Sequence, residues 1–436
     1  MKNAQDNSLA LLGGAKTITN PDLTLFHWPI ITQEDEQAIL DVVRAGTMSG
    51  TDITKAFEKE YADWVGVKHA LGYCNGTASL LGAFWACGVG AGDEIICPSM
   101  TYWASAAPAL SLGASVNFAD IDPVTLCIDP KDIEHRIGPR TKAIVAVHYA
   151  GHPCDMDPIM EIAKRRGVKV VEDVSHAHGS LYKGRPCGTF GDVAAMSMMS
   201  GKGFAIGEAG MLLTNDSTIL ERAIAYGHYE RTGGPSRFSK VEADVHGELS
   251  HFKGVPLGGC KHRMNQTCSA MGRVQLRHYP ERMAEIQRAM TRFWDLLKGV
   301  PGLHAHRPAA DSGSTMGPWY FPRGLYRAEE LGGLSCARFC EAVRAESFDF
   351  CYPGSNFPLH THTVFQEADT FNLGKPTMVA FGQRDVRQGV GSLPNAERIA
   401  ETTFGVPWFK HDRPAEIERY AAVYRKVAEQ ADTLRT

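Results

Sequence analysis

The chain has 436 residues, 44% hydrophobic and 22% charged, and 45 Lys and Arg against 49 Asp and Glu leave a net charge of −4. That balance describes an ordinary soluble globular protein, long enough to bury a substantial core. No basic excess points to nucleic acid, no acidic run to a disordered tail, and no apolar stretch approaches the length of a membrane span.

Eleven cysteines are scattered without a CxxC pair, which suits reduced thiols in the cytoplasm rather than a disulfide framework. In chain order, residues 1–30 read as a loose polar extension whose apolar piece, 9–12, is too short for a signal-peptide core. The stretch 34–45 puts Ile39, Val42 and Val43 on one face of a helix. A second helix is expected at 54–65, and Gly76-Thr77-Ala78 opens a third that runs to about Cys87. A strand at 94–98, a helix at 102–112 and a strand at 115–118 follow. Strands at 142–148 and 168–172 flank a helix at 157–166, and two more strands are expected at 193–197 and 210–214. This rhythm predicts an α/β fold with a mostly parallel central sheet flanked by helices, its strands continuously apolar because both faces are covered. Residues 264–298 are helical in pattern, and the last helix is expected at 414–431. The expected division is a large domain at 31–299 and a smaller C-terminal α+β domain at 300–436.

The chemistry concentrates between residues 168 and 211. A buried strand delivers Glu172 and Asp173 at its carboxyl end, followed by His176 and His178. In parallel sheets that end is where ligands bind. Further on, Lys202 stands between Gly201 and Gly203 just after an apolar strand. Lysine forms Schiff bases with carbonyl cofactors, and an Asp at a strand end can pair with a protonated pyridine nitrogen. Asn75-Gly76-Thr77-Ala78 is a turn into a helix, where free N–H groups bind phosphate and Thr77 adds a hydroxyl. Tyr102 and Trp103, after another strand, offer a ring to stack on a flat heterocycle. Singly, each has a bland account: a helix cap, core aromatics, a turn-capping Asp, a surface lysine. Together, in this order on one parallel sheet, they point to a site for pyridoxal 5'-phosphate.

These segments resemble the DegT/DnrJ/StrS family of pyridoxal-phosphate-dependent sugar aminotransferases, of fold type I. The resemblance rests on 46–50, 57–80, 93–104, 140–151, 170–179 (with EDVSHAHG), 197–211 around Lys202, and 259–276, and more loosely on 393–407. It implies that Lys202 forms the Schiff base and moves the substrate proton, and that Asp173 keeps the pyridine nitrogen protonated. It sets His176 against the ring, Tyr102 as the stacking aromatic, and Gly76, Thr77, Ala78 and Ser197 as the phosphate cup. Lys261, in Gly-Cys-Lys-His-Arg, falls where the family commonly places an Asn reaching the phosphate of the neighbouring subunit, so a homodimer is implied. The implied reaction moves an amino group from glutamate or glutamine to a keto-sugar, nucleotide-linked or free, or to a keto-cyclitol, in bacterial secondary-metabolite (antibiotic) or glycan biosynthesis.

On the substrate side the candidates are Ser49, Arg231, His360 and His362. Arg231 could clasp a carboxylate or stand solvated, and the histidine pair could reach a substrate or sit in a surface loop. His148, His152 and Cys154 have metal-ligand chemistry but lack a second cluster, and no metal is expected. Cys336 and Cys340, four apart on a helix, read as thiols packed on one face. Two rival functions are a sugar dehydratase on the same scaffold and a non-catalytic sensor. The family's 3-dehydratases carry a histidine where this chain has Lys202, and a sensor would not need Lys202, Asp173 and the phosphate cup together.

Overall fold

A computed structural model describes residues 8–233, 243–347 and 350–435. Thr32 and Asp35 cap each other reciprocally to start α1 (Gln33–Arg44), and Gly66 in the left-handed region ends α2 (Asp52–Val65). Then come β1 (His69–Tyr73), α3 (Gly76–Ala86), β2 (Glu94–Pro98), the short α4 (Pro108–Ser111) and β3 (Ser115–Ala119). They are followed by α5 (Pro130–Arg136), β4 (Thr141–Val147), α6 (Met156–Arg166) and β5 (Lys169–Asp173). A two-stranded ribbon, β6 (Leu181–Tyr182) and β7 (Arg185–Pro186), precedes β8 (Val193–Ser197), β9 (Gly210–Thr214) and α7 (Ser217–Gly227).

The central sheet has seven strands in the order β1-β9-β8-β5-β4-β2-β3. Only β9 runs against its neighbours. The segment between β8 and β9 returns without a crossover helix, so the two strands must be antiparallel. That segment carries Lys202. β2, β3, β8 and β9 have almost no exposed side chain, as a sheet covered on both faces requires.

The long helix α8 (Gln266–Leu296) crosses from one core to another. Its first half packs Val274, Leu276 and Tyr279 near the central sheet, and its second half buries Ile286, Met290 and Phe293 in a second core. The second core holds an antiparallel sheet of β10 (Leu303–Ala305), β11 (Arg323–Tyr326) and β12 (Thr403–Gly405). Helix α9 (Cys336–Glu346) packs there. Between α9 and β12 lie the short helices α10 (Thr363–Glu367), α11 (Thr377–Ala380), α12 (Pro394–Glu397) and α13 (Ile399–Thr402), and α14 (Pro414–Glu429) follows.

Three expectations are corrected. The helix at 102–112 is instead a 3-10 turn at Trp103–Ser105 followed by α4. Pro108 has no N–H to continue a helix and starts a new one instead. The N-terminal segment is not loose from residue 8 onward: Leu9, Ile18 and Leu25 are inside the second core. Buried Glu346 accepts from the Ala10 and Thr17 amides and pairs with Lys426. Residues 1–7 lie outside the described part. The cores also do not divide at 299/300, because Leu359, Phe365, Met378, Leu393 and Ile399 join the core of the central sheet. Strand β1 was not anticipated. Cys336 and Cys340 share one buried face of α9, their sulfurs 3.9 Å apart, as their spacing predicts.

Candidate active site

The carboxyl ends of β2, β4, β5 and β8 open onto a cavity of about 430 Å³ that Val147, Asp173, Ser197, Lys202 and Tyr320 help line. Asn75 caps α3 by accepting from the Ala78 amide at 2.8 Å. The Gly76 and Thr77 amides precede the first helical bond, and both residues face the cavity. Such an end attracts anions through its N–H groups and its dipole. Two glycines allow it to sit there. A Cβ on Gly76 would stand 2.5 Å from that of Ser197, and one on Gly210 would stand 2.4 Å from the Asn75 carbonyl oxygen. Real carbon atoms do not approach so closely, so α3 can butt against β8 and β9 only with glycine at both places.

Asp173, the last residue of β5, is 4% exposed. Its Oδ1 accepts the Ser175 amide at 3.0 Å and its Oδ2 the Ser105 hydroxyl at 2.6 Å. Ser105 is in turn 2.8 Å from the Thr101 hydroxyl. Since Ser105 has given its proton to Asp173, Thr101 donates to Ser105. The carboxylate is thereby fixed in orientation and faces the cavity.

Lys202 is 7% exposed, and burial pushes its amine down to about 8 against the opposing pull of Asp173. Its Nζ lies 4.5 Å from the centroid of the Tyr320 ring. His176 is buried. Burial, reinforced by Lys202, holds its imidazole well below the usual range, so it is neutral. Its Nδ1 accepts the Ala150 amide, and its ring packs 4.6 Å from Tyr320. His178 is turned away. It donates to the Ser197 carbonyl and accepts from Tyr61, and burial pushes it down to about 4.

Gly76, Thr77, Tyr102, Asp173, His176, Ser197 and Lys202 thus share one cavity. Ala78 lies beside it, lining an adjoining groove with Thr77 and Glu208. Tyr102 is half-exposed at the mouth and packs on Trp103. The remaining candidates are elsewhere. Lys261 is exposed, 5.7 Å from the Tyr229 ring, and Ser49 is exposed in the turn between α1 and α2. Arg231 does not reach the cavity: it is buried and donates to both oxygens of Glu58 at 2.7 and 2.8 Å. That pairing satisfies a charge that burial would otherwise destabilise, so Arg231 serves the core and is not free for a substrate carboxylate. His360 is buried between Ser99 and Glu397. His362 is exposed, caps α10, and borders an apolar lobe that shares Thr101, Tyr102 and Asn356 with the cavity.

His148 donates to Glu172 and accepts the Cys154 amide, and His152 donates to the Pro153 carbonyl while its ring stacks on His306. No metal-binding group of three such side chains occurs among the described residues.

The sequence reading missed Ser105, Tyr320, Phe321 and Asn356. Tyr320 and Phe321 belong to the C-terminal third and turn back over the cavity because Trp319 and Phe321 take φ of 52° and 55°. Bulky residues rarely hold that conformation, and nothing in local periodicity signals it. Asn356 is placed by Tyr149, whose hydroxyl donates to its Oδ1 at 2.6 Å.

The open α3 terminus, the glycine cradle behind it, an oriented buried carboxylate and a buried amine of lowered basicity fit a flat, phosphate-bearing aldehyde such as pyridoxal phosphate. The chain matches the DegT/DnrJ/EryC1/StrS aminotransferase family over residues 29–422. It is 39% identical to the L-glutamine:scyllo-inosose aminotransferase of Streptomyces griseus, covering 97% of this chain and 98% of that one. It is 29% identical to the spore coat polysaccharide biosynthesis protein SpsC of Bacillus subtilis (93% and 97% covered). Among solved structures it superposes on an aminotransferase from Psychrobacter cryohalolentis with a TM-score of 0.76 and 27% identity, covering 91% of this chain and 97% of that one. The chain belongs to the DegT/DnrJ/EryC1/StrS family and is an aminotransferase of the α/β architecture that family shares.

Proposed function

We propose that the cavity holds pyridoxal 5'-phosphate and that the enzyme moves an amino group from glutamate or glutamine to a keto-cyclitol or keto-sugar. The observation that carries this reading is the convergence of Lys202, Asp173 and the α3 N-terminus on one cavity. Bound there, the cofactor supplies the carbonyl that takes up the amino group and the electron sink that lets the substrate Cα–H bond break. The Gly76 and Thr77 amides hold its phosphate, with Ser197 beside them. The Asp173 carboxylate, aligned by Ser105 and Ser175, holds a proton on the ring nitrogen. Neutral His176, in the cavity wall, would face the ring without adding a competing positive charge. Lys202 Nζ takes the substrate proton and returns it, and a basicity lowered to about 8 lets the amine do both near neutral pH.

The cyclitol acceptor and the glutamine donor draw support from the S. griseus relative, which is named for both and is similar over nearly the whole chain. We further infer a homodimer in which Lys261 of each subunit completes the other's phosphate site. Its exposed position outside its own cavity is compatible with that role. A cytoplasmic location is supported by eleven free cysteines. No helix among the described residues is long and apolar enough to cross a membrane.

The test is the half-reaction. Purified enzyme loaded with pyridoxal phosphate should convert it to the amine form on addition of glutamine or glutamate, releasing the oxo acid with no acceptor present. A keto-cyclitol or keto-sugar should then restore the original absorption. Loss of water from a sugar without nitrogen transfer would replace this reading with the dehydratase. Absence of any amino-donor reaction while the cofactor is bound through Lys202 would replace it with a binding protein. For the dimer, mixing inactive Lys202→Ala and Lys261→Ala subunits should restore activity in hybrid sites. No recovery in demonstrated heterodimers would exclude the shared site.

A further inference from the structure

Lys202 lies between two glycines, whose backbones are the least restrained of any residue. A lysine that must repeatedly present its amine to one point needs its own peptide held. The Lys202 N–H donates to the Met199 carbonyl at 2.8 Å. Its carbonyl accepts the indole Nε1–H of Trp28, also at 2.8 Å. Trp28 comes from the N-terminal strap, which is anchored by Leu25 in the second core and by the Leu25 carbonyl accepting from the Lys410 amide.

A second tryptophan completes the arrangement. Trp408 packs 6.2 Å from Trp28 and 5.5 Å from Tyr320, the ring beneath the Lys202 amine. Its Nε1–H donates to the Pro318 carbonyl at 2.8 Å. Pro318 in turn lies against Gly203, where an added Cβ would stand 2.4 Å from its Cγ. The two indoles therefore grip both walls around Lys202: one its peptide, the other the turn bearing Tyr320.

We propose that Trp28 is a positioning residue for Lys202, its indole N–H fixing the lysine's carbonyl so that the amine stays buried over Tyr320 and in line with the cavity. The proposal rests on the reading of Lys202 as the cofactor-bearing residue and adds that the N-terminal strap, outside the central sheet, holds it in place. Trp28 does not line the cavity and is not itself catalytic.

The experiment replaces Trp28 with Phe, which keeps a ring, and separately with β-(3-benzothienyl)alanine, which keeps the bicycle and replaces only N–H by sulfur. The first readout uses cofactor-free protein: the pH dependence of Lys202 labelling by an amine-specific reagent, quantified on the peptide by mass. Wild type should show a midpoint near 8. Both variants should move it upward, toward the ordinary lysine value, as the loosened amine reaches water. The second readout is the donor half-reaction, whose rate should fall about tenfold with little change in KM, the effect of losing one buried hydrogen bond.

An unchanged labelling midpoint and half-reaction in folded variants would overturn the proposal. So would a benzothienyl variant that behaves as wild type while Phe is impaired, since indole packing would then suffice. If the wild-type enzyme reacts with no amino donor, the transaminase reading fails while the labelling midpoint still decides the role of Trp28.

Discussion

Glu172 and Asp173 are consecutive on β5, and successive side chains of a strand enter opposite faces of the sheet. Asp173 meets a cavity and two hydroxyl- or amide-bearing neighbours that leave it directed into open space. Glu172 meets His148 and the amides of Gly188, Phe190 and Gly191, all at 2.6 to 3.0 Å, which use both its oxygens. One carboxylate is aligned but unfinished, and the other is complete. A site is thus separable from a structural network of the same residue types: a functional charge has its orientation fixed and one direction left open.

The same contrast holds for the histidines two positions apart, His176 in the cavity wall and His178 locked between Tyr61 and Ser197. It holds again for Lys202 in the cavity and Arg231 closed on Glu58.

The largest expected effect lies on the open side. Lys202→Ala should lower turnover by at least about a thousandfold. Borohydride should no longer trap the cofactor on the protein, as mass spectrometry of the reduced enzyme would show. Trapping on a different lysine would move the site.

On the closed side, Glu172→Ala should leave His148 and three amides without their acceptor. That should reduce stability by about 3–5 kcal/mol, read by denaturant unfolding, as removing one member of a buried pair does. Burial opposes its ionisation, but the hydrogen bond from His148, with those from the Gly191 and Gly188 amides, holds the carboxyl below its usual range. A depressed folded value means this contribution is present above the unfolded carboxylate range and is lost as pH falls through the folded value. The wild-type protein should lose stability on acidification, and the variant should lose less over the same interval.

A smaller, reversible effect follows from the amine. Below about 8, the unprotonated fraction of Lys202 falls about tenfold per pH unit, and the rate of cofactor uptake by the cofactor-free protein should fall in step. A flat uptake profile from about two pH units below the midpoint up to the midpoint, measured by stopped-flow absorbance, would mean that Lys202 is not the attacking group.

The smallest effect is expected at the aromatic wall. Tyr320→Leu removes the ring beneath Lys202 Nζ, a contact worth about 0.5–1 kcal/mol. The half-reaction should slow by about two- to fivefold, whereas Tyr320→Phe should stay close to wild type. Equal losses in the two would assign the effect to the hydroxyl instead.

Most of the cavity floor was legible in the sequence because it is built from local rules. A strand end, a glycine turn into a helix and a lysine between glycines each leave a mark within a few residues. Asp173, Lys202, Gly76, Thr77 and Ser197 all stand at such marks, at the start of α3, at the ends of β5 and β8 and just after β8, and sheet topology then brings strand ends together. The roof left no such mark. Tyr320 and Phe321 reach the cavity through left-handed backbone at aromatic residues, and Asn356 through a hydrogen bond from Tyr149, two hundred residues earlier in order of magnitude.

Residue patterns alone were enough for the fold class, for the strands of the central sheet other than β1, and for residue types with the chemistry to hold a phosphate and form a Schiff base. Those depend on periodicity and on short-range stereochemistry, which are properties of neighbours in the chain. Which charges are spent and which are free depends on packing between distant segments. Arg231 is consumed by Glu58, 173 positions away, and His360 by Ser99 and Glu397, 261 and 37 positions away. Packing also lets an N-terminal tryptophan reach the carbonyl of Lys202, because burial of Leu9, Ile18 and Leu25 in the second core brings the strap there. Such pairings arise from packing of distant surfaces, where burial makes an unpaired polar group costly and so selects its partner.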